Sequence, residues 1–433
     1  MDEVTSGIAP LAGIRYDVRR FGKDLSKLIA PPYDVLDGTD KDALLKGHPR
    51  NIVAVDLPHV PPKQAGPDAV YQRAADTFEA WLGDGVLIRD PQPGIYLYQQ
   101  RYEHGGREYT RTALFARLRL SPPDEGRVVP HEQTFGGPKE DRLRLMRATR
   151  CNLSAVFGLY SDPNGEVLAA LAPVGRDPDA IAMLNGVESR LWYVPDGSVV
   201  ARACQALAGK PIYIADGHHR YETALMYRDW LSAREGELPE DHPARYALVG
   251  LCAMEDDGLL MLPYHRVVEH VPGLDLGELV SAAAPYFRAG EAPTIEPGPL
   301  AEAVARHPTG SVAVVQPSTG RGIMLVLERD DVLDSLVPQH GEAWRRLGVA
   351  ILHRFLIDRV IAPSAGGQPA ISYTSLAEQA VEAAAQSDGV ALLVQPTQMA
   401  QMRAVCRTGD LMPQKSTFFY PKLATGLVIN PLY

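Results

Sequence analysis

An acid, a glycine, two histidines and an arginine follow one another in the middle of the chain, within KPIYIADGHHRYETALMYRDWL (residues 210–231). The five residues are Asp216, Gly217, His218, His219 and Arg220. PIYIAD before them is typical of a buried strand, and HRYETALMYRDWLSARE after them is typical of a helix. The N-terminus of a helix attracts anions through its N–H groups and dipole. Arg220 adds a planar fork that matches two phosphate oxygens, and His218 and His219 add donors, so the turn predicts a phosphate site.

Asp216 is the unexpected member of this turn, because a carboxylate repels an anion. Two roles remove the conflict. Asp216 either holds a magnesium ion that bridges it to the phosphates, or accepts a proton during the reaction. The alternative is a surface turn whose histidines hydrogen-bond the backbone.

A second charged cluster, in HEQTFGGPKEDRLRLMRAT, precedes this turn by about 80 residues. Its polar members are His131, Glu132, Lys139, Glu140, Asp141 and Arg142. Lys139 follows Gly136-Gly137-Pro138, so a flexible loop could bring its ammonium group to a phosphate. Asp141 and Arg142 would then open the next helix, and Glu132 is a candidate base or magnesium ligand. The alternative is a solvated charged loop.

A third segment, GDLMPQKSTFFYPK, has Gly409 six residues before Lys415-Ser416, as in a P-loop. Gln414 stands where the second P-loop glycine is required, and the segment runs from a helix into a strand, the reverse of P-loop context. We therefore reject a P-loop. A polar strand edge guarded by lysines is the alternative to a binding segment.

A fourth candidate is Asp34, in APPYDV. The two prolines before Tyr33 exclude a helix and predict an extended turn, which would fix the Asp34 carboxylate as a further candidate catalytic acid. Turns also carry aspartate for backbone reasons alone.

ADGHHRYETA resembles the D-G-x-H-R signature of the ParB-like and sulfiredoxin-like superfamily, in which this turn holds the phosphates of a nucleotide. Together with APPYDV, HEQTFGGPKEDRLRLMRAT and MPQKSTFFYPKLATGL, it resembles a bacterial and archaeal family of unknown function that is similar to free serine kinases. The resemblance implies a phosphoryl donor (ATP, ADP or pyrophosphate) used with Mg2+. It also implies that Lys415, Ser416 and Lys422 help to bind the donor.

The elements that must position these residues are of mixed type. Irregularly interleaved strands and helices predict an α+β fold with mixed sheets, and the resemblance adds a ParB/sulfiredoxin-like nucleotide-binding core. At 433 residues the chain exceeds one ordinary core. We divide it into an N-terminal α+β region (1–125), a ParB-like phosphate-binding core (126–270) and a C-terminal α+β region (271–433).

Local patterns predict several individual elements. Apolar residues at helical spacing predict a helix over 68–82, and alternation around His104-Gly105-Gly106 predicts a hairpin over 94–120. RNIVAVDLP (50–58) has the pattern of a buried strand. Residues 246–268 have the pattern of a hairpin that turns at 256–258. Ser375 and Glu378 have the spacing of a capping box at the start of a helix.

Charge and cysteine content limit the classes of partner and the cellular location that we expect. The net charge is −10, from 43 basic and 53 acidic residues, which disfavours nucleic acid. Four widely spaced cysteines indicate reduced thiols and a cytoplasmic protein. We expect no membrane span, and the oligomeric state stays open.

The leading hypothesis is a small-molecule kinase that transfers a phosphoryl group to a free hydroxyl, with L-serine as the acceptor that the resemblance implies. Phosphoryl transfer needs positioned cations and acids, which the clusters supply. A nucleotide-binding regulatory protein of the ParB-like type and a phosphohydrolase using the same site are the alternatives.

Overall fold

A computed structural model describes residues 7–62, 64–122, 125–134, 136–171, 175–365 and 369–433. It is a mixed α+β structure with several sheets, as the sequence predicts. In the described residues the strands, in chain order, are β1 Ile8–Ala9, β2 Ile14–Tyr16, β3 Leu87–Arg89, β4 Ile95–His104, β5 Arg107–Arg119, β6 Val128–Val129, β7 Cys151–Asn152, β8 Val156–Tyr160, β9 Ala180–Leu184, β10 Val187–Val194, β11 Ile212–Asp216, β12 Tyr246–Ala253, β13 Leu260–Leu262, β14 His265–Val268, β15 Phe287–Glu291, β16 Val312–Gln316, β17 Arg321–Leu327, β18 Ile371–Thr374, β19 Val390–Val394, β20 Phe418–Tyr420 and β21 Asn430–Pro431.

Helices alternate irregularly with these strands. Over the same residues the α-helices are α1 Val18–Phe21, α2 Gly38–Gly47, α3 Val53–Asp56, α4 Asp68–Gly83, α5 Gly136–Thr149, α6 Glu166–Leu171, α7 Gly197–Leu207, α8 His218–Glu235, α9 Leu276–Ala283, α10 Pro297–Ala305, α11 Glu342–Arg345, α12 Gly348–Ile351, α13 Ala377–Gln386 and α14 Met399–Arg407. A π-helical segment, Leu352–Ile361, continues directly from α12.

The chain folds into two compact units that are discontinuous in sequence. Unit 1 comprises Met1–Pro130, Thr134–Leu260 and Pro421–Tyr433, and unit 2 comprises His131–Gln133 and Met261–Tyr420. The three-region division made from the sequence stays a prediction about domains.

Unit 1 is built on a mixed sheet of nine strands within the described residues. Eight follow the order β6-β11-β8-β12-β5-β4-β10-β9, and β1 pairs with β5. β11 runs parallel to β6 and antiparallel to β8, whereas β12 and β8 are parallel. Helix α8 packs against α5, and α5 packs against α4. The end of β11 and the start of α8 therefore lie beside α5.

Unit 2 has its own antiparallel sheet, in which six strands of the described chain follow the order β15-β17-β16-β19-β14-β18. Helices α10 and α13 pack on it through an apolar core that includes Val267, Leu300, Val315 and Ala380. Each unit thus buries one sheet face under helices, the usual way to cover apolar sheet residues.

Elements with strong local signals form where the sequence predicts them. Helix α4 spans Asp68–Gly83 and buries Tyr71, Phe78 and Trp81 on one face. The β4–β5 hairpin turns at Gly105 and Gly106, which have φ of +58° and +74°. Two consecutive residues with positive φ match a hairpin turn that follows the twist of the strands, and glycine adopts it without steric cost.

Two predictions in the N-terminal region are wrong. RNIVAVDLP is not a strand, because Val53–Asp56 forms the short helix α3. The Val53 N–H donates to Asn51 Oδ1 at 3.0 Å, and this local bond together with burial overrides the strand preference of the valines. Tyr33–Val35 forms a single 3-10 turn rather than an extended one, with Pro32 as its N-cap.

Two further predictions also fail. Residues 246–268 do not form a hairpin: β12 pairs with β5 and β8, whereas β14 pairs with β18 and β19. The alternating apolar residues suggest that the two strands pair with each other, but each strand is part of a different sheet. Ser375 and Glu378 do not form a capping box, since the N-cap of α13 is Leu376 without a side-chain cap.

No helix in the described part of the chain is long and apolar enough to cross a membrane.

Candidate anion-binding site in unit 1

The junction between β11 and α8 is formed around Gly217. Strand β11 ends at Asp216, Gly217 has φ +89°, and α8 begins at His218. A Cβ at Gly217 would lie 2.8 Å from Nε of Arg220, so a larger residue would both strain the backbone and displace the arginine. Gly217 is the N-cap of an 18-residue helix and offers no side-chain acceptor to its first N–H groups. These features suit an anion at the helix start.

The Asp216 carboxylate lies between two cations. Its Oδ2 is 2.5 Å from Nη2 of Arg220, and its Oδ1 is 2.7 Å from Nζ of Lys422. Burial alone would raise the pKa of Asp216, but the charges of Lys422 and Arg220 lower it overall, well below its usual range. Such a carboxylate is a weak base, and both its oxygens are already bonded. The geometry favours a role that the sequence does not suggest, in which Asp216 holds the two cations in place.

Arg220 is largely buried and its fork is directed by the protein. Besides Asp216, it donates to the carbonyl oxygen of Ala155. The side chain also lines a narrow cleft of about 30 Å³ together with Ser154 and Thr223. Burial alone would lower the pKa of Arg220, whereas the charges of Asp216 and Asp34 raise it overall. The guanidinium therefore stays charged.

The two histidines of the turn differ in their surroundings. His218 is 7% exposed, and its charge, when protonated, contributes to lowering the pKa of Asp216. The backbone carbonyl of His219 accepts from Thr223 Oγ1 at 2.6 Å, an ordinary bond within α8. His218 is therefore the one more closely tied to the charges of the turn.

Asp34 lies among the same charges. One of its carboxylate oxygens, Oδ1, is buried and has no hydrogen-bond partner among the described residues. Its neighbour Tyr33 is buried, and the Arg142 guanidinium lies 4.0 Å from the centre of the Tyr33 ring. An ionised oxygen without a partner is costly when buried, so Asp34 is suited to accept a hydrogen bond or a proton from a ligand.

Arg142 forms its hydrogen bonds with other residues of the protein. Its Nε donates to Asp141 Oδ2 at 2.8 Å, and its Nη1 donates to the carbonyl oxygen of Asp56 at 2.6 Å. Asp141 in turn accepts from the Tyr71 hydroxyl at 2.7 Å. Burial raises the pKa of Asp56, and the Arg142 charge partly opposes that shift. This network ties α5 to α3 and α4, which makes Arg142 a scaffold residue in the described structure.

Lys139 also lies next to α8, but its charge is paired. Its Nζ is 2.8 Å from Glu222 Oε2 and 3.2 Å from Thr134 Oγ1. Glu222 lies on α8, two residues after Arg220. A phosphate at the helix start would have to compete with Glu222 for this lysine.

The sequence did not indicate the partners that organise this site. Asp56, Glu222 and the carbonyl oxygen of Ala155 each hold one of the predicted cations. One feature of the sequence could have indicated Asp56. It is an acid at the end of an apolar run, and an acid is rarely buried unless it is paired.

The other predicted residues lie in unit 2. The Lys415 backbone N–H is 3.5 Å from Glu132 Oε1, and Met412 N donates to the carbonyl oxygen of His131 at 2.7 Å. Ser416 Oγ donates to the carbonyl oxygen of Pro413. Lys415 has φ +54°, which is uncommon outside glycine.

No group of three or more His, Cys, Asp or Glu side chains in the described residues is arranged to hold a metal ion.

A protein-family profile described as "Protein of unknown function (DUF1015)" matches residues 8–350. Among solved structures, the chain is similar to a free serine kinase in complex with AMP (14% identity, TM-score 0.34) and to a mutant free serine kinase in complex with ADP (14% identity, TM-score 0.35); each match covers 73% of this chain and 92% of the other. It is also similar to C-terminally truncated SbnI from Staphylococcus aureus, at 13% identity and TM-score 0.35, over 72% of this chain and 87% of that one. No curated protein matches the chain. Each TM-score is below 0.5, so the roles of the site residues rest on the chemistry of this chain alone.

Proposed function

The chain belongs to the DUF1015 family, and we propose that it is a phosphotransferase that moves a phosphoryl group from a nucleotide or pyrophosphate to a free hydroxyl. The observation that carries the proposal is the pair of cations, Arg220 and Lys422, held on one carboxylate at the start of α8. Asp216 neutralises only one of these two cations, and Asp34, which also acts on Arg220, is assigned below to the acceptor hydroxyl.

The donor phosphates would bind at this turn. The two cations and the helix dipole both favour an anion, and Gly217 lets the backbone approach it closely. Arg220 can offer its remaining N–H groups to phosphate oxygens, because Asp216 and the Ala155 carbonyl accept only two of the five. Asp216 keeps both cations oriented before the donor arrives, which lowers the cost of ordering two long side chains on binding.

Asp34 is the proposed catalytic base. In the transfer, the acceptor oxygen forms a bond to the terminal phosphorus, and the bond from that phosphorus to the leaving group breaks. The hydroxyl proton passes to Asp34, whose Oδ1 has no competing partner among the described residues. The leaving group is ADP from ATP, AMP from ADP, or phosphate from pyrophosphate. L-serine is the proposed acceptor, on the resemblance of the sequence motifs to those of free serine kinases.

Magnesium does not fit Asp216, because each carboxylate oxygen already contacts a cation. Glu132, the other predicted ligand, belongs to unit 2. Magnesium ions bound near phosphates commonly keep several waters and only one or two carboxylates. We therefore propose magnesium as a companion of the donor phosphates, and assign it no protein ligand.

A direct assay tests the proposal. The protein would be incubated with magnesium, L-serine and, in separate reactions, ATP, ADP or pyrophosphate, and O-phosphoserine would be measured by mass spectrometry. Asp34→Asn serves as the catalytic control. Product that depends on Asp34 supports the kinase. Loss of donor without phosphoserine would instead indicate a phosphohydrolase, and nucleotide binding without turnover would indicate a ParB-like regulatory protein.

A further inference from the structure

The backbone of Lys422, one of the two cations on Asp216, is held by a buried glutamine. Gln100 lies on β4 and is 2% exposed, and its Nε2 donates to the carbonyl oxygen of Lys422 at 2.9 Å. The Lys422 side chain in turn places its Nζ 2.7 Å from Asp216 Oδ1. Gln100 therefore fixes the point of the backbone from which the Lys422 side chain reaches the α8 turn.

A buried arginine on the next strand sets the orientation of the Gln100 amide. Arg111 lies directly opposite Gln100 in the β4–β5 pairing, and its Nη2 donates to Gln100 Oε1. A guanidinium has donors and no acceptor, so a flipped amide would set its NH2 group against the donors of Arg111. Arg111 thus selects the orientation in which the NH2 group of Gln100 faces the carbonyl oxygen of Lys422.

Burying Arg111 is costly for the fold. The residue is 0% exposed, and its Nε and Nη1 have no hydrogen-bond partner among the described residues. Burial lowers the pKa of its guanidinium, and the ring of Phe157 lies 4.6 Å from the guanidinium carbon. An apolar side chain of similar length would be buried at lower cost. Stability alone therefore does not account for an arginine at this position, whereas the orientation of Gln100 does.

The segment 421–425 also connects Lys422 to the turn that carries the proposed base. The Thr425 N–H donates to the carbonyl oxygen of Ala30 at 2.8 Å, and the Ala30 N–H donates to that of Thr425 at 3.1 Å. Two prolines separate Ala30 from the 3-10 turn that contains Asp34. The same short segment therefore holds Lys422 near one end and the start of the Asp34 turn at the other.

We propose that Gln100 is a positioning residue for the donor site of unit 1, and that Arg111 fixes the amide with which Gln100 acts. Gln100 holds Lys422 on Asp216, so the lysine is ordered before the donor binds. The inference rests on the proposed function for what Lys422 binds. The position of Lys422 itself is measurable without any turnover.

Gln100→Glu separates the positioning role from a role in stability. The carboxylate keeps an acceptor for Arg111 and gives this buried cation an acid, so the melting temperature should be kept or raised. The carboxylate has no donor for the Lys422 carbonyl oxygen, which then faces another oxygen. Gln99→Glu is the matched control, because it makes the same change on the adjacent residue of β4, whose side chain lies on the other face of the sheet and donates to Thr112.

The reactivity of the Lys422 amine reports its position, because a lysine held on a carboxylate reacts slowly with acylating reagents. The full-length wild type and variants, free of ligand, would be treated briefly with N-hydroxysuccinimide acetate at neutral pH, and acetylation would be measured by peptide mass spectrometry. Rates would be normalised to the exposed Lys46 of α2. Lys210 is an internal control, since its Nζ is 3.1 Å from Asp162 Oδ1 and its side chain is 23% exposed, against 15% for Lys422.

In Gln100→Glu we expect Lys422 to be acetylated about threefold faster or more, the scale of one lost hydrogen bond, with Lys210 unchanged. Gln99→Glu should leave both lysines at their wild-type rates. Pyrophosphate, the group that the three candidate donors share, should bind Gln100→Glu about threefold more weakly or worse in calorimetry. If Gln100→Glu does not fold, Gln100→Met combined with Arg111→Met replaces the pair by two apolar side chains and should give the same rise at Lys422.

An unchanged Lys422 rate in the folded variant would overturn the positioning role. So would an equal rise at Lys422 and Lys210, which indicates a general loosening of the fold. If the wild type binds no pyrophosphate while the Lys422 rate still rises in Gln100→Glu, the proposed donor site fails and the positioning of Lys422 by Gln100 stands.

Discussion

Replacing Asp216 with asparagine separates the role we assign to this residue from the two roles that the sequence suggests. Asp216→Asn keeps the shape of the side chain and removes the charge between Arg220 and Lys422. Breaking a buried ion pair by removing one partner costs about 3–5 kcal/mol. Asp216 is 19% exposed and the amide oxygen still accepts one hydrogen bond, so we expect the lower end, about 3 kcal/mol. At about 2–4 °C per kcal/mol, the melting temperature of the ligand-free protein should fall by about 6–12 °C.

The pH dependence has a definite sign. The pKa of Asp216 in the folded protein is lowered from its ordinary value of 3.8, so its contribution to stability is complete above that value. The contribution is lost as the pH falls below 3.8 toward the folded pKa. Thermal melts of the wild type and Asp216→Asn should therefore differ at pH 7 and converge as the pH falls below about 4.

Binding and turnover complete the test. The variant loses the carboxylate that orients Arg220 and Lys422, so donor affinity should fall, whereas turnover at saturating donor should stay within about tenfold of wild type, because no base or metal ligand is lost. Loss of a general base would lower turnover by about a hundredfold or more, and loss of a metal ligand would raise the magnesium requirement. Asp334→Asn is a matched control, because Asp334 also contacts two arginines, but at the surface, where solvent screens the charges. Unchanged stability together with a hundredfold loss of turnover would refute the anchoring role.

Three further substitutions examine the remaining residues of the unit 1 site. Asp34→Asn should lower kcat by about a hundredfold or more, the scale of a lost general base, with donor affinity within twofold by calorimetry; wild-type turnover would exclude Asp34 as the base. Arg220→Lys should weaken donor binding at least tenfold despite the retained charge, since the planar fork is lost, and a change below twofold would place Arg220 away from the phosphates. Lys139→Met should weaken donor binding less than Arg220→Lys does, because Glu222 already neutralises the lysine; the reverse order in titrations would show that the donor displaces Glu222.

The parts of the fold that the sequence predicts well are those decided by neighbours in the chain. Helix α4 follows from the spacing of its apolar residues, and the β4–β5 hairpin follows from two glycines that adopt positive φ. The strand–turn–helix at 212–235 is likewise local. Each of these signals is complete within about 20 residues, so no distant contact could reverse it.

The parts that fail depend on partners far away in sequence. Strand β12 pairs with β5, more than a hundred residues earlier, and its own alternation cannot reveal which sheet it joins. The short helix α3 has a valine-rich sequence that favours a strand, yet the Asn51 bond to the Val53 N–H and the Arg142 contact with Asp56 favour the helical turn. The spacing of apolar residues indicates that a segment is buried, but it does not indicate which element the segment packs against.

The same distinction explains the candidate site. The sequence places Asp216 and Arg220 four residues apart on one turn, but it does not show that they pair or that Lys422, 206 residues from Asp216, is the second partner. A carboxylate in an anion site is paradoxical only while its partners are unknown. Held between two cations, it offsets part of their desolvation in the ligand-free protein and keeps both of them oriented. A phosphate then meets oriented donors rather than mobile side chains. The acid that seems to oppose binding is, on this geometry, the group that prepares the site for it.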